Sequence, residues 1–239
     1  MTNIIRLNES INDYAARPVI TALGEPDLAI RPSTYLAALG TSTNIDPKQI
    51  LIDGSYGQTT NPAPFIGVGT GAMTVKSDAN GAYLAMPQKG IRTGIVMSTK
   101  NDKGTFVVIK CRLNDIVSGA ERLFSIGPGS RNTANFSLAT AVDPKRVDGT
   151  GYGYSAPMDN LVHTFAIYNA PGALYLFADN KKYFTVSGSV TTPNDLTGVG
   201  INTRSLADTP PNDLDLYNFE LYLDVSLTEQ QIIDYLKTL

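Results

Sequence analysis

At 239 residues the chain is long enough to bury a full core as one domain. Its formal charge of −3, with 17% charged residues, leaves no basic stripe to neutralise phosphates, which excludes an electrostatic nucleic-acid binder. A single cysteine and a single histidine exclude an internal disulfide and a zinc cluster of ordinary ligand spacing.

Residues 1–47 read as an N-terminal arm. Pro18, Gly24-Glu25-Pro26, Arg31-Pro32 and Asp46-Pro47 interrupt every apolar run, and the helical candidates are short: Glu9 to Ala16, and Tyr35 to Leu39 closed by Gly40. Such a segment builds no core of its own, so it either packs along its own domain or docks into a neighbouring subunit. Residues 48–239 then follow a strand and turn pattern. Strands are predicted over Gln49–Ile52, Met73–Lys76, Ala82–Met86, Arg92–Met97, Thr105–Leu113, Arg122–Ile126, Asn135–Ala141, Val162–Tyr168, Ala173–Ala178, Lys182–Val186, Gly198–Asn202 and Leu214–Leu223. Glycine, proline, asparagine and aspartate clusters separate them, and a dozen strands so spaced imply two packed antiparallel sheets. The tracts Gly67-Val-Gly69-Thr-Gly71 and Gly149-Thr-Gly-Tyr-Gly-Tyr154 neither follow a strand nor open a helix, so they are read as turns or tightly packed extended loops rather than phosphate cradles.

Cys111 shares a face with Val107 and Ile109 and reads as a small buried hydrophobe. In the last strand strict alternation places Leu214, Leu216, Asn218, Glu220 and Tyr222 on one face and Asp215, Tyr217, Phe219, Leu221 and Leu223 on the other. A short closing helix follows. Thr228 caps it, Gln231 reaches back to complete a capping box, and Leu227 packs on Ile232 as a hydrophobic staple.

A long strand ending in a capped "Leu-Ser/Thr-acid-x-x-Ile" helix resembles the end of a laminin G-like or pentraxin-like domain of the concanavalin A-like lectin/glucanase group. The segment Leu161-Val-His163-Thr-Phe-Ala-Ile-Tyr-Asn169, followed by Gly172-Ala-Leu-Tyr-Leu-Phe-Ala-Asp179-Asn180-Lys-Lys-Tyr183, is similar to that group's "Trp-x-His-x-x-x-x-Tyr-Asp … Leu-x-Leu-Tyr-x-Asp-Gly-x" hairpin. Leu161 stands where the group has Trp, and Asn180 stands where it has Gly; asparagine accepts the φ > 0 that a two-residue hairpin turn requires. The resemblance implies an all-β, two-sheet antiparallel jelly-roll sandwich with one C-terminal helix. In that hairpin His163 is a structural residue, its ring packed on a neighbouring strand with one nitrogen hydrogen-bonded.

Glycosidases of this fold carry Glu-x-Asp-x-x-Glu or Glu-x-Asp-x-Glu on one strand face, giving the acid and nucleophile that retaining hydrolysis needs. Glu25-Pro26-Asp27 has the first spacing but ends in Ala29 and Ile30, and Asp213, Asp215 and Glu220 match neither in type nor in spacing. Asp213 and Asp215 read as a solvated strand entrance, and no catalytic residue is assigned. Calcium at the sandwich rim is the one cofactor to consider, with Asp143, Asp148, Asp179, Asp208 and Asp213 as oxygen donors; solvated turn acids explain the same residues, and no cofactor or metal ligand is assigned. Tyr152 and Tyr154 beside Asp148 and close to Asn160 form the candidate ligand site, since tyrosine stacking next to short polar groups suits sugar contact.

Low charge, abundant Gly, Thr, Asn and Ser, no Trp and a proline-punctuated arm resemble bacteriophage virion proteins. The expectation is a non-catalytic virion component, decorating a capsid or serving as tail fibre. Its arm would bind other virion proteins or copies of itself in a homo-oligomer, and its sandwich would contact host cell-surface glycan. No signal peptide is recognisable and no apolar run approaches the roughly 18 residues that span a bilayer, so assembly in the host cytoplasm without membrane insertion is expected. The rivals are a free carbohydrate-binding lectin with a calcium or tyrosine site and a divergent glycan hydrolase.

Overall fold

The structure is a computed structural model that describes residues 23–33, 44–47, 50, 65–98, 102–115, 122–127, 136–141, 146–149, 155–157, 159–187, 195–203 and 212–239. In chain order its strands are β1 (Leu28–Ile30), β2 (Ile66–Val68), β3 (Thr74–Asp78), β4 (Gly81–Met86), β5 (Gly90–Ser98), β6 (Gly104–Asp115), β7 (Arg122–Ile126) and β8 (Phe136–Ala141). They continue as β9 (Arg146–Gly149), β10 (Ser155–Pro157), β11 (Val162–Ala170), β12 (Ala173–Ala178), β13 (Lys181–Ser187), β14 (Asp195–Ile201) and β15 (Asp213–Val225). One helix, α1 (Glu229–Leu236), closes the described chain.

The strands form two antiparallel sheets. The larger runs β13-β12-β11-β6-β15-β4-β3, and β1 also joins β15; the smaller runs β10-β9-β8-β7-β14-β5-β2. Val107, Ile109, Cys111 and Leu113 of β6 enter the core between the sheets with Phe124, Ile126, Phe165, Leu176, Val199 and Ile201. Phe106 and Val108 point the opposite way, into a second apolar layer with Tyr168, Phe177 and Tyr222, and Ile232, Tyr235 and Leu236 of α1 cover that layer. The middle of β6 is therefore buried on both faces, which is why its sequence reads as a near-continuous apolar run. Cys111 is fully buried, as its pattern implied.

β15 departs from strict alternation. Its pairing with β6 shifts between Leu216 and Asn218. One extra residue in a strand swaps the faces of everything beyond it, so Leu214 and Leu216 share the intersheet core with Phe219, Leu221 and Leu223. Two leucines on one expected face and three large apolar residues on the other thus become one core face.

Residues 27–31, read from the sequence as arm, belong to the larger sheet. Leu28, Ala29 and Ile30 pair with Leu221, Glu220 and Phe219, on the same edge of β15 whose first part pairs with β4. Asp27 Oδ2 accepts the Leu223 N–H at 2.7 Å, and Arg31 Nη2 meets Glu220 Oε1 at 2.9 Å. A boundary at 47/48 consequently does not separate arm from sandwich. The arm's short helices, the predicted strand Gln49–Ile52 apart from buried Ile50, and the tract Thr150–Tyr154 lie outside the described residues. β1, β2, β9 and β10 are strands the periodicity did not announce; with three or four residues each, they are too short to display an alternation. Gly67, read as turn, sits within β2, and Gly71 lies so close to its neighbours that an added Cβ would fall 1.5 Å from Pro87 O.

The turns and the helix follow their sequence signals. Asp179 and Asn180 join β12 to β13 with φ of 47° and 66°, the doubly positive geometry of a two-residue hairpin. Gln231 N donates to Thr228 Oγ1 at 3.3 Å while Thr228 N donates to Gln231 Oε1 at 2.8 Å, completing the capping box, and Leu227 packs in the same layer as Ile232. Replacing Thr228 by alanine should lower unfolding free energy by about 0.5–2 kcal/mol. Arg31→Met, which strands Glu220, should cost about 3–5 kcal/mol. Urea titration measures both, and equal losses would contradict the distinction between an exposed cap and a buried ion pair.

Candidate functional site

Of the sugar-contact residues expected from sequence, Asp148 and Asn160 lie among the described residues. Asp148 lies in β9, its backbone paired with Ala139 and Ser155, rather than in a loop. Asn160 is exposed in the loop before β11, and Tyr152 and Tyr154 lie outside the described residues. Of the calcium candidates, Asp179 has both oxygens engaged: Oδ2 with His163 Nδ1 at 2.6 Å and Oδ1 with the Thr164 N–H at 3.0 Å. Asp213 Oδ1 accepts the Gln88 N–H at 2.8 Å. Asp143 and Asp208 lie outside the described residues, and among those residues no three His, Cys, Asp or Glu side chains converge as a metal site.

His163 is held at both ring nitrogens rather than one. Nε2 meets Asp159 Oδ1 at 2.9 Å, opposite the Asp179 contact, and the ring lies 5.7 Å from Phe165. Asp179 above all, and then Asp159, favour the imidazolium over the desolvation that opposes it, pushing the histidine up to about 9. The side chain is a charged clasp between the 159–161 loop and the β12–β13 turn.

A denser polar cluster occupies the outer face of the larger sheet, on the half that α1 leaves uncovered. Tyr83 of β4 and Tyr217 of β15 lie with ring centroids 5.1 Å apart, and the Arg112 guanidinium of β6 stands 5.4 Å and 5.8 Å from those two centroids. Arg112 Nε and Nη2 donate to Asp215 Oδ2 at 3.0 and 2.7 Å, and Nη1 donates to Asp78 Oδ2 at 3.0 Å. The Tyr217 hydroxyl donates to the same Asp78 oxygen at 2.7 Å, and Asn114 Nδ2 donates to Asp215 at 3.0 Å. Asp215, expected to be solvated, is thus buried in an ion pair. The reason lies in the register: Arg112 and Asp215 are direct cross-strand partners, and Asp215 faces Ala85, whose small side chain leaves Tyr83 room to lean toward Tyr217.

The charges in this cluster reinforce one another. The Tyr217 hydroxyl foremost, together with Asn80 N–H and Arg112, holds the Asp78 carboxyl below the usual carboxylate range. Burial and the neighbouring Asp78 push the Tyr217 hydroxyl upward, so it remains a donor. The bulge at Tyr217 supplies the geometry, and beside it Asn218 is buried with its Nδ2 lacking a hydrogen-bond partner. Sequence reasoning missed Tyr83, Arg112 and Asp78: Asp78 and Tyr83 belong to the two strands of one hairpin, and Arg112 lies 34 positions beyond Asp78. The available signal was a polar residue interrupting an otherwise apolar strand: Tyr83 beside Leu84, Arg112 between Cys111 and Leu113.

The His163 clasp predicts a pH dependence. Because the folded value lies above the ordinary 6.5, its contribution to stability is fully present below about pH 6.5 and is lost as pH rises through about 9. Side-chain NMR of the single histidine should give a midpoint near that value, and His163→Gln should flatten the alkaline fall in unfolding midpoint. A midpoint at or below 6.5 would contradict the double pairing.

No protein-family model matches the chain, and neither does any curated sequence. Solved structures do align with it. Domain 4 of a GH43 extracellular arabinanase from Geobacillus stearothermophilus, solved with arabinotriose, superposes with a TM-score of 0.55 at 13% identity, covering 88% of this chain and 98% of that one. The binding domain of paraclostridial mosquitocidal protein 1 gives 0.53 at 10% identity over 89% of this chain and 52% of its own. The binding domain of botulinum neurotoxin DC, in complex with rat synaptotagmin II, gives 0.52 at 10% identity over 82% and 51%. The chain therefore spans about half the length of the toxin binding domains and nearly all of the arabinanase domain. At these identities the likeness is one of fold: a two-sheet antiparallel jelly-roll sandwich.

Proposed function

We propose that this chain is a non-catalytic carbohydrate-recognition sandwich whose contact surface is the Tyr83–Arg112–Tyr217 platform. The observation that carries the reading is the grouping of two tyrosine rings, a guanidinium, two carboxylates and an amide on the half of the sheet face away from α1, where Tyr83, Arg112 and Asp78 are partly exposed and Tyr217 and Asp215 are buried. Sugars offer apolar C–H faces to aromatic rings and hydroxyl groups to carboxylates and amides, so a rigid mixed surface of this kind suits them. The fold shared with the arabinanase domain solved with arabinotriose supports the reading by analogy.

The same geometry supports a binding role over hydrolysis. A glycosidase needs one carboxyl kept protonated as general acid, whereas Asp78 and Asp215 are both bound to one guanidinium and Asp78 is held below its usual range. In this reading the sandwich is displayed by a larger assembly, as a virion component that meets host cell-surface glycan. The glycine-rich, weakly charged composition and the proline-punctuated N-terminal segment ahead of β1 support that setting.

A glycan microarray followed by calorimetric titration tests the proposal. The chain should retain at least one oligosaccharide class and release no reducing ends from it. Tyr83→Ala should weaken binding by about three- to tenfold, the loss of one stacking contact, with little change in unfolding midpoint. Undiminished binding by that variant, or turnover of the bound glycan, would contradict the proposal.

A further inference from the structure

We infer that the platform selects neutral sugars over acidic ones, an inference that rests on the carbohydrate-binding reading above. Proteins recognise carboxylate and phosphate groups most effectively with the planar fork of an arginine, which places two parallel N–H donors on an anion. Here that fork is already filled. Arg112 Nε and Nη2 are both directed at Asp215 Oδ2, and Nη1 is directed at Asp78. A sugar acid would have to displace one of these carboxylates to reach the guanidinium.

The surrounding charges act in the same direction. Asp78 and Asp215 are joined by Asp115 and Asp213, which face each other across β6 and β15 at the rim of the platform. Lys76, exposed on β3 opposite Tyr83, is the nearest further cation in register. Lys110, on the same face of β6, has its ammonium group taken up by the main-chain oxygen of Leu239. Among the described residues, four carboxylates thus stand against the three cations Arg112, Lys76 and Lys110, and an incoming anion meets net repulsion on a partly exposed surface.

The hydrogen-bonding inventory matches a hydroxyl-bearing partner. Asp78 takes the Asn80 N–H on Oδ1 and Arg112 and Tyr217 on Oδ2, and Asp215 Oδ2 takes Arg112 and Asn114; carboxylate oxygens only accept, so any further partner must donate. A sugar hydroxyl can donate to these oxygens; a sugar carboxylate only accepts, and would place acceptor against acceptor beside Asp78. Neutral hexose or pentose oligosaccharides are therefore the ligand class, bound by stacking on Tyr83 and by hydroxyl pairs on the two aspartates.

Matched probes that differ only in charge test this: a linear galacto-oligosaccharide and the galacturonic acid oligomer of equal length, and lactose with its sialylated form. Each is titrated into the ¹⁵N-labelled full chain at low and at moderate salt. The neutral member of each pair should shift amides around Tyr83, Arg112 and Tyr217 with an affinity insensitive to salt. The acidic member should bind about tenfold more weakly, with the gap narrowing as salt rises. Asp215→Asn, which frees the guanidinium fork, should reduce the gap, and Asp78→Asn, at a more exposed position, should do so independently if the first variant folds poorly. Equal or tighter binding of the acidic member at the platform would overturn the selectivity while leaving the glycan reading intact. Failure of every probe to shift these amides would overturn both.

Discussion

Glu220 is a carboxylate with no exposed surface, and an unpaired charge in such a place would cost several kcal/mol. The chain meets this constraint from three directions. Arg31, just after β1, supplies the counter-charge; Tyr222, two residues along β15, donates to it at 3.0 Å; and Tyr235 of α1 reaches it from the helix. The two tyrosine hydroxyls are themselves 2.8 Å apart, and burial beside Glu220 pushes the Tyr222 hydroxyl upward, so it persists as a donor. One buried acid thereby ties the first described strand to the longest strand and to the last helix. Loss of β1 would remove its counter-charge, and loss of α1 one of its hydrogen bonds.

The position of α1 follows from that tie and decides what the outer face of the larger sheet can do. Phe106, Val108, Tyr168, Phe177 and Tyr222 would form an exposed apolar patch, and the helix seals it. Lys182 of β13 adds an ion pair to Glu229 at the start of α1, and Tyr168 donates to Val225 O as the chain turns toward it. The helix does not extend over the other half of the face. There the strand residues switch from apolar to polar, and the bulge at Tyr217 sets its ring against Tyr83 and Arg112. The groups of this platform are already oriented by one another, so the proposed ligand would meet a surface that needs little reordering.

Long, strongly patterned elements were legible in the sequence, and short or bulged ones were not. β6, β11, β12 and the capped helix announce themselves because their apolar spacing persists over many residues or because three local signals agree at Thr228, Gln231 and Leu227. The Asp179-Asn180 turn was readable from the hairpin resemblance and from asparagine's tolerance of positive φ. β1 was hidden because its three residues depend on Asp27 and Arg31 finding partners about 190 positions away. The bulge in β15 was hidden for a related reason: alternation is a local rule, whereas the register shift is set by pairing with β6. The platform shares that character. Arg112 and Asp215 become neighbours only through sheet order, and no window of the sequence contains both.

In the proposed role, the half of the larger sheet away from α1 is the ligand surface. Amide hydrogen exchange of the full chain, with and without a saturating neutral oligosaccharide, tests it most directly, because it reports every segment at once. The account predicts added protection confined to the β3–β4 hairpin, the Arg112 end of β6 and the Tyr217 bulge, with α1 and the layer beneath it unchanged. Protection that appeared instead around Asp148 to Asn160, leaving those strands untouched, would contradict it.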